Sequence, residues 1–368
     1  MTGFERIVII GAGPAGSAAA GFLARARCEV VVVEPKTFPR VKVCGEFVSP
    51  AATDVLESLI PPIELVALGG RRVRELVLER GGEERVFDMP TPAWALSRAT
   101  LDEALAERAV ESGATYRFGV GVKRIDWSDG DRHAGIVELT DGSTLGAHSV
   151  IHADGSGRFD PAGATKKIRG VVGHKCHLHV PGGVDGIRMR GATDASRGSY
   201  VGLIGVERGL ATCALVAGKQ HIVRHRGDAD SMLRALWPGY DPAWREGPWL
   251  SCGVARSPYV RPGHPCSLRI GNAAAAVDPV GGEGIGLALW SGRETARSLL
   301  ACSTVAGAEQ MLRQAYRRRL RTRAPACRWA AEVMMRPRAF AAAWNVLQLP
   351  GVSIEPWYRL TGKPSAAG

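Results

Sequence analysis

The chain has 368 residues, of which 45% are hydrophobic and 23% charged, a balance typical of a globular protein with a substantial core. No stretch reaches the roughly 18 uninterrupted apolar residues of a membrane-spanning helix, and the net charge of +11 is not accompanied by any nucleic-acid-binding motif. The eight cysteines are scattered without a CxxC pair, which argues against a disulfide scaffold and favours a cytoplasmic protein.

The chain opens with a strand, a glycine-rich turn, a helix and a second strand. The β-branched run Ile7 to Ile10 precedes Gly11 to Gly16, which matches G-x-G-x-x-G and begins an alanine-rich helix. A second buried strand, Val30 to Val33, ends in the acidic Glu34. This order is the dinucleotide-binding fingerprint of a βαβ unit, so the opening segment predicts a Rossmann-type site.

Each part of this fingerprint has a physical reason. Gly11 permits the tight turn, Gly13 lets the backbone approach a pyrophosphate, and Gly16 lets the helix pack closely on the strand. Unpaired N–H groups at the helix N-terminus attract phosphate, and Glu34 can accept hydrogen bonds from a ribose diol. An ordinary βαβ turn would leave Glu34 unexplained.

The next predicted elements are a loop, two strands and a helix. Two prolines, a glycine and mixed charge make residues 35–46 a loop close to the ribose. Strands are expected over Arg72 to Leu78 and Arg85 to Met89, with a turn at Gly81 and Gly82. Apolar residues at helical spacing predict an amphipathic helix from Ala99 to Ser112.

The second half of the chain begins with strands and ends with helices. Short strands are predicted over residues 115–153 and again over residues 165–265. The pattern from Leu287 to Leu349 is helical, with an irregular tail after Pro350. The predicted domains are a discontinuous cofactor domain (residues 1–70, 95–160 and 267–302), a sheet domain (71–94 and 161–266) and a helical segment (303–368).

Five motifs in a fixed order carry a resemblance to a known superfamily. They are GAGPAGS with Glu34, R-x-K-x-C-G-E at Arg40–Glu46, R-x-x-L-D at Arg98–Asp102, ADGSGR at Ala153–Arg158, and IGNAAAAVDPVGGEGIG at Ile270–Gly286. In these motifs the chain resembles the superfamily of FAD-dependent aromatic hydroxylases (group A flavin monooxygenase-like) and geranylgeranyl reductases. The resemblance implies an α/β fold: a Rossmann-type, glutathione-reductase-like FAD-binding domain with an inserted β-sheet substrate domain and a helical C-terminus.

The same resemblance implies FAD as the cofactor and a set of residues around it. The implied FAD-binding residues are Gly11, Gly13, Pro14, Ala15, Gly16, Glu34, Arg40, Arg98, Val122, Asp154, Asn272, Asp278, Gly284, Ile285 and Gly286. Cys44, Gly45 and Gly284 are the implied catalytic candidates beside the flavin. Asn272 stands where the family usually carries aspartate; it keeps a hydrogen-bond acceptor and loses the charge. Because the sequence has no second G-x-G-x-x-G, NAD(P)H is expected only as a transient electron donor.

Several features allow more than one interpretation. Cys44 could be a reactive thiol, a residue that shapes the substrate pocket or a small buried hydrophobe. On a strand, His177 and His179 share one face while His174 and Cys176 share the other, so no metal site is expected. The arginine cluster between residues 313 and 323 is interpreted first as a solvated helix face; contact with an anionic membrane or an acidic partner is the alternative.

The implied function is that of an NAD(P)H-using FAD oxidoreductase acting on a lipophilic, conjugated small molecule. The first choice is hydroxylation of an aromatic or polyketide-type substrate, since the chain is similar to hydroxylases that tailor phenolic lipids. The alternative is reduction of isoprenoid double bonds, which the Cys44-Gly45-Glu46 loop favours, and the third is electron transfer without an organic substrate. Halogenation is not expected, because the W-x-W-x-I-P motif is missing.

Overall fold

Three β-sheets and a set of C-terminal helices make up the protein. The computed structural model describes residues 6–127, 135–155 and 165–363. The strands are β1 (Arg6–Ile10), β2 (Glu29–Glu34), β3 (Phe47–Val48), β4 (Arg71–Arg80), β5 (Glu83–Ala95), β6 (Thr115–Phe118), β7 (Val122–Trp127), β8 (Gly135–Leu139), β9 (Thr144–Ala147), β10 (Ser149–His152), β11 (Lys167–Leu178), β12 (Ile187–Arg190), β13 (Ser199–Gly205), β14 (Ala211–Gly218), β15 (Arg245–Ala255) and β16 (Ser267–Arg269). The α-helices are α1 (Pro14–Arg25), α2 (Thr53–Leu59), α3 (Pro62–Ala67), α4 (Arg98–Glu111), α5 (Lys219–Arg224), α6 (Ala229–Leu236), α7 (Glu283–Ala301), α8 (Val305–Met335), α9 (Pro337–Leu347) and α10 (Glu355–Leu360).

A parallel sheet in the order β16-β10-β1-β2-β6 forms the Rossmann-type core. Its central strand is buried on both faces. Ile7 and Ile9 pack towards α1, α7 and α8, whereas Val8 and Ile10 pack against the small sheet β7-β8-β9. A β-branched run buried on both sides is what a central parallel strand requires. The carboxyl ends of these strands therefore meet at one edge, where ligands bind in such sheets.

The second large sheet has the order β15-β11-β14-β13-β12-β4-β5-β3 and is antiparallel except for the pair β12–β4. Helix α6 covers one face, where Cys213 and Leu215 lie in its core. Helices α8 and α9 cover part of the other face, where Val216 and Val254 lie. The remainder of that second face looks towards the carboxyl edge of the parallel sheet.

The predicted fold class is confirmed: a Rossmann-type core, a second sheet and C-terminal helices. Strand β5 is longer than predicted and runs through Pro90 and Pro92. The ladder with β4 is irregular between Val73 and Glu75, so these prolines lie where the regular pairing is interrupted and their missing N–H groups cost little.

The prediction of an irregular tail after Pro350 is wrong in one part, because α10 forms there. Tyr358 of this helix packs with Phe87 in a small core, a contact that the local sequence does not reveal. Of the predicted ADGSGR motif, residues 156–158 lie outside the described residues, and the domain boundaries stay predictions. Among the helices of the described ranges, none combines the length and hydrophobicity needed to cross a bilayer.

Candidate functional site

A cavity of about 570 Å³ opens at the carboxyl ends of β1 and β2 and extends to the exposed face of the eight-stranded sheet. Its position is the one expected for a ligand site in a parallel sheet. Most of the predicted site residues line it: Gly11, Gly13, Pro14, Ala15, Glu34, Arg40, Cys44, Gly45, Arg98, Val122, Asp154, Asn272, Gly284 and Ile285. Residues far apart in sequence thus line one cavity, and their individual roles stay predictions.

Three predicted residues do not line the cavity. A Cβ on Gly16 would lie 1.9 Å from the carbonyl oxygen of Gly11, so this glycine permits the close packing of α1 on β1. Gly286 lies inside α7. Asp278 is buried, and its carboxylate accepts a hydrogen bond from Nε of Arg256 at 2.6 Å. That ion pair holds Asp278 on the side of the large sheet.

The end of the cavity near Gly13 is built to receive an anion. A Cβ on Gly13 would lie 3.8 Å from Nη2 of Arg40 and 3.9 Å from Nη2 of Arg98. Among the described residues, the buried Nε of Arg40 finds no hydrogen-bond partner. Burial, and after it the neighbouring Arg40 charge, lower the pKa of Lys42, which also lines this part of the cavity. These groups fit the pyrophosphate of FAD.

Acidic residues fix those two arginines. Glu34 accepts a hydrogen bond from the N–H of Ala12 at 2.9 Å and forms an ion pair with Nη1 of Arg40 at 2.9 Å. Asp102 accepts from Nε and Nη2 of Arg98 at 2.6 and 2.7 Å. Burial opposes the charge on Arg98, but the ion pair with Asp102 outweighs it and raises the pKa of Arg98. Both guanidinium groups are therefore held in a fixed orientation, and that of Arg98 stays charged.

The opposite end of the cavity is formed by the start of α7. Gly282 precedes this helix with a φ of +63°, and a Cβ there would lie 2.5 Å from Phe47. A Cβ on Gly284 would meet no atom within 4 Å, so the first turn of the helix opens onto free space. A helix N-terminus facing open space fits a flavin ring that gains negative charge on reduction.

Glu46 is the functional candidate that sequence reasoning did not include among the site residues. Its carboxylate is fully buried and accepts hydrogen bonds from the backbone N–H of Arg98 at 2.7 Å and from Nζ of Lys175 at 2.5 Å. His177 lies 2.8 Å from the second carboxylate oxygen, and the hydroxyl of Thr212 donates to it as well. Glu46 thus joins the loop to α4 and to two strands of the large sheet.

The backbone conformation and the pKa of Glu46 both show that its contacts hold the carboxylate in place. Its φ of +55° is a left-handed conformation that non-glycine residues seldom adopt, so the surrounding contacts must hold it. Burial opposes ionisation, but the hydrogen bond with His177 and the charge of Lys175 lower the pKa of Glu46 to about 2. The carboxylate is therefore an anion at neutral pH and an anchor for the adjacent Cys44 and Gly45.

The remaining wall is mostly small and apolar. It is formed by residues on the open face of β11, β14 and β15: Gly173, Ala214, Val216, Cys252 and Val254. Cys44, in the loop before β3, lines the same cavity, and its Sγ accepts a hydrogen bond from the N–H of Glu46 at 3.4 Å. Burial raises the pKa of the Cys44 thiol, which therefore keeps its proton at neutral pH.

The three histidines of β11 and its end, His174, His177 and His179, do not point to one common position. His177 contacts Glu46, His174 contacts Oγ of Ser251 at 2.8 Å, and His179 lies 2.5 Å from Glu246. Within the part of the chain that the structure describes, no three His, Cys, Asp or Glu side chains are placed to hold a metal ion.

A second buried carboxylate fixes the start of α7. Glu283 accepts hydrogen bonds from Oγ of Ser49 at 3.1 Å, Nη1 of Arg323 at 3.2 Å and Nζ of Lys363 at 2.5 Å. The C-terminal segment thus supports the wall of the cavity where the flavin ring would lie. Glu283 and the arginines of α8 can be read from the sequence, but no sequence pattern indicates that Glu283 and Arg323 form an ion pair.

Comparison with known proteins gives consistent findings. A family model described as pyridine nucleotide-disulphide oxidoreductase matches residues 5–171. The menaquinone reductase of Mycolicibacterium smegmatis is 30% identical over 320 residues, which cover 78% of this chain and 74% of that protein. Digeranylgeranylglycerophospholipid reductase 1 of Methanopyrus kandleri is 28% identical over 314 residues, 78% of each chain.

A solved structure shares the fold. PqsL of Pseudomonas aeruginosa in complex with 2-aminobenzoylacetate has a TM-score of 0.77 at 18% identity, over 93% of this chain and 99% of that one. In a second solved structure, PqsL is called a probable FAD-dependent monooxygenase. At this identity the likeness establishes the architecture and leaves the reaction open.

Proposed function

Because this chain belongs to the FAD-dependent oxidoreductase superfamily, we propose that it reduces a carbon–carbon double bond in a lipophilic, isoprenoid-like small molecule. The electron donor in this proposal is NAD(P)H, which docks transiently. The observation that carries the proposal is the position of Cys44, which lines the same cavity as the apolar side chains of Ala214, Val216 and Val254.

The shape of that cavity end supports a lipophilic substrate. Ala214, Val216 and Val254 present short apolar side chains to the cavity, which leave room for a planar or extended hydrocarbon. No charged side chain from β14 faces this part of the cavity among the described residues.

Reduction of an alkene needs a hydride and a proton. FAD, when bound, supplies hydride transfer between the nicotinamide donor and the substrate. Cys44 would hold the proton at Sγ, since burial keeps the thiol neutral, and would deliver it to the carbon that does not receive the hydride; the resulting thiolate would take up a proton from solvent before the next turnover. Glu46 would act on the loop rather than on the substrate, by keeping Cys44 and Gly45 at a fixed distance from the sheet.

The names of the sequence relatives support the same reaction class. Two relatives that match over most of this chain are called reductases, of menaquinone and of digeranylgeranylglycerophospholipid, and both of those compounds carry isoprenoid chains. A cytoplasmic location, expected from the sequence, stays a prediction.

The test is product formation with and without oxygen. Purified protein is incubated with NADPH and either menaquinone or an aromatic lipid, and the products are analysed by mass spectrometry. A product that gains two hydrogen atoms under anaerobic conditions supports double-bond reduction. A product that gains one oxygen atom, formed only in air, would contradict it and would favour the hydroxylation that the sequence analysis placed first. NADPH oxidation that no lipid accelerates would favour electron transfer.

A further inference from the structure

We propose that the outer face of α8 and α9 docks on an anionic membrane surface. The proposal deepens the proposed function, from which it takes only the lipophilic character of the substrate. The surface itself is argued from burial, charge and helix geometry.

The two helices face the same way because they share one core. Residues of both pack on the same face of the eight-stranded sheet in a single cluster: Ala331 and Met334 from α8, Phe340 and Trp344 from α9, and Met189, Tyr200 and Val216 from the sheet. Each helix therefore buries the side that meets the sheet. The sides turned away from this core carry the exposed residues of the two helices.

The arginine cluster of α8 divides into two groups. Three arginines point inwards: Arg323 pairs with Glu283, Arg313 lies beside Glu309, and Arg319 stacks on Trp290 with its Cζ 4.6 Å from the ring centroid. The other three, Arg317, Arg318 and Arg321, are exposed, and they form no ion pair within the described residues. The solvent-facing side of α8 thus carries uncompensated positive charge.

Exposed apolar side chains accompany these arginines. Trp329 on α8 is 65% exposed, and Val346 and Leu349, in and just after the last turn of α9, are 56% and 55% exposed. Trp329 follows Arg318 by about three helical turns, which places both on the same side of α8. Arg328 and Arg336 share a single acid, Glu332, so the surface around Trp329 also keeps excess positive charge.

This combination fits a lipid surface better than an acidic protein or a nucleic acid. Helices that lie in the membrane interface carry arginine on their polar side together with tryptophan and aliphatic residues. Anionic lipid headgroups attract the arginines, and the acyl boundary below them takes Trp329 and Leu349. From there a lipophilic substrate could pass between the bilayer and the protein.

The test is binding of the full-length, FAD-loaded protein to vesicles, without any substrate. Vesicles of phosphatidylcholine alone are compared with vesicles that also contain phosphatidylglycerol, at low and high NaCl. The parent protein should cosediment only with the anionic vesicles, and less so as salt rises. The triple variant Arg317→Gln, Arg318→Gln, Arg321→Gln should bind about 100-fold more weakly. Trp329→Ala should bind about tenfold more weakly at either salt concentration.

The matched control removes the same charge elsewhere. Arg27→Gln, Arg226→Gln, Arg234→Gln changes three exposed arginines on other surfaces, two of them beside α6 on the opposite face of the sheet. Equal binding of the two triple variants would overturn the proposal. So would a parent protein that ignores anionic vesicles but binds polyglutamate, which would indicate an acidic protein partner. Because flavin absorbance and activity on detergent-dispersed substrate are read separately, failure here leaves the proposed reaction intact.

Discussion

The carboxylate of Glu46 lies 2.5 Å from Nζ of Lys175, and the two side chains are 0% and 1% exposed. One partner belongs to the loop beside the cavity and the other to the middle of β11. This ion pair therefore fixes the distance between Cys44 and the sheet wall that faces it. Taking both charges out of water is costly, and only the complete set of partners offsets that cost.

Glu46→Gln should destabilise the protein by about 3–5 kcal/mol, because it leaves the buried Lys175 cation without its counter-charge. The measurement is the free energy of unfolding in urea, with loss of bound FAD as a second readout. Glu138→Gln is the control, since Glu138 forms its ion pairs on the protein surface and should change stability little. The double variant Glu46→Gln, Lys175→Met should recover part of the loss. Equal stability of Glu46→Gln and the parent would show that the pair contributes nothing.

The same carboxylate should give the protein a specific acid sensitivity. The pKa of Glu46 is lowered from 4.5 to about 2, so its contribution is complete above pH 4.5 and disappears as the pH falls towards 2. A shift of this size corresponds to about 3 kcal/mol. Urea unfolding of the parent and of Glu46→Gln between pH 6 and pH 2 measures it. The difference between the two proteins should shrink as the pH falls; a constant difference would contradict the lowered pKa.

Gly13→Val should abolish tight FAD binding while leaving the fold intact. A Cβ at this position stays 3.8 Å from the nearest arginine nitrogen, so the chain tolerates it, but the side chain fills the space meant for a pyrophosphate. We expect about a 100-fold loss in FAD affinity, measured by titration of flavin fluorescence. Gly239→Val, an exposed turn glycine far from the cavity, serves as the control. Unchanged FAD affinity would show that the pyrophosphate lies elsewhere.

Asn272→Asp should tighten FAD binding by about fivefold, because a carboxylate forms a stronger, charge-assisted hydrogen bond to a ribityl or ribose hydroxyl. Asn272 lines the cavity, whereas its neighbour Asp278 is occupied by Arg256 and cannot substitute for it. Titration of the apoprotein with FAD measures the change, with Asn345→Asp on α9 as the charge control. Weaker binding would mean that Asn272 donates rather than accepts.

Cys44→Ser should lower the rate of double-bond reduction by about 100-fold, since a serine hydroxyl is a much poorer proton donor than a thiol. Cys252→Ser is the matched control, because Cys252 lines the same cavity on the edge strand β15. Rates are measured under anaerobic conditions with a saturating lipid substrate. If the reaction is instead the oxygen-dependent hydroxylation, the parent protein should also be inactive without oxygen, and in air both variants should retain activity because no thiol is needed.

The sequence predicted the fold and the site residues correctly where the interacting residues are close together along the chain. The turn from Gly11 to Gly16 and the following strand to Glu34 form one local unit, and its pattern predicted both the fold and the cavity. The partners of Glu46 could not be found in this way, because Lys175 and Thr212 lie 129 and 166 residues further on. Nothing local distinguishes a strand lysine that will be buried against a loop carboxylate from one that will face solvent.

The sequence also could not predict which of the C-terminal arginines are buried. Arg321 and Arg323 are two residues apart and chemically identical, yet only Arg323 is buried on Glu283. Which of them turns inwards depends on how α8 packs against α7, and no periodicity of charge reveals that. The difference decides whether the cluster is a support for the cavity or a surface for a partner.

The ion pair between Glu283 and Lys363 has a consequence for biosynthesis. The two residues are 80 positions apart, and chains are made and begin to fold from the N-terminus. A growing chain therefore displays its nucleotide-binding turn, and then the start of α7, well before Lys363 exists. A flavin that binds during translation would therefore enter the cavity before the start of α7 is fixed. The ion pair between Lys363 and Glu283 would form afterwards and hold that end of the cavity in place.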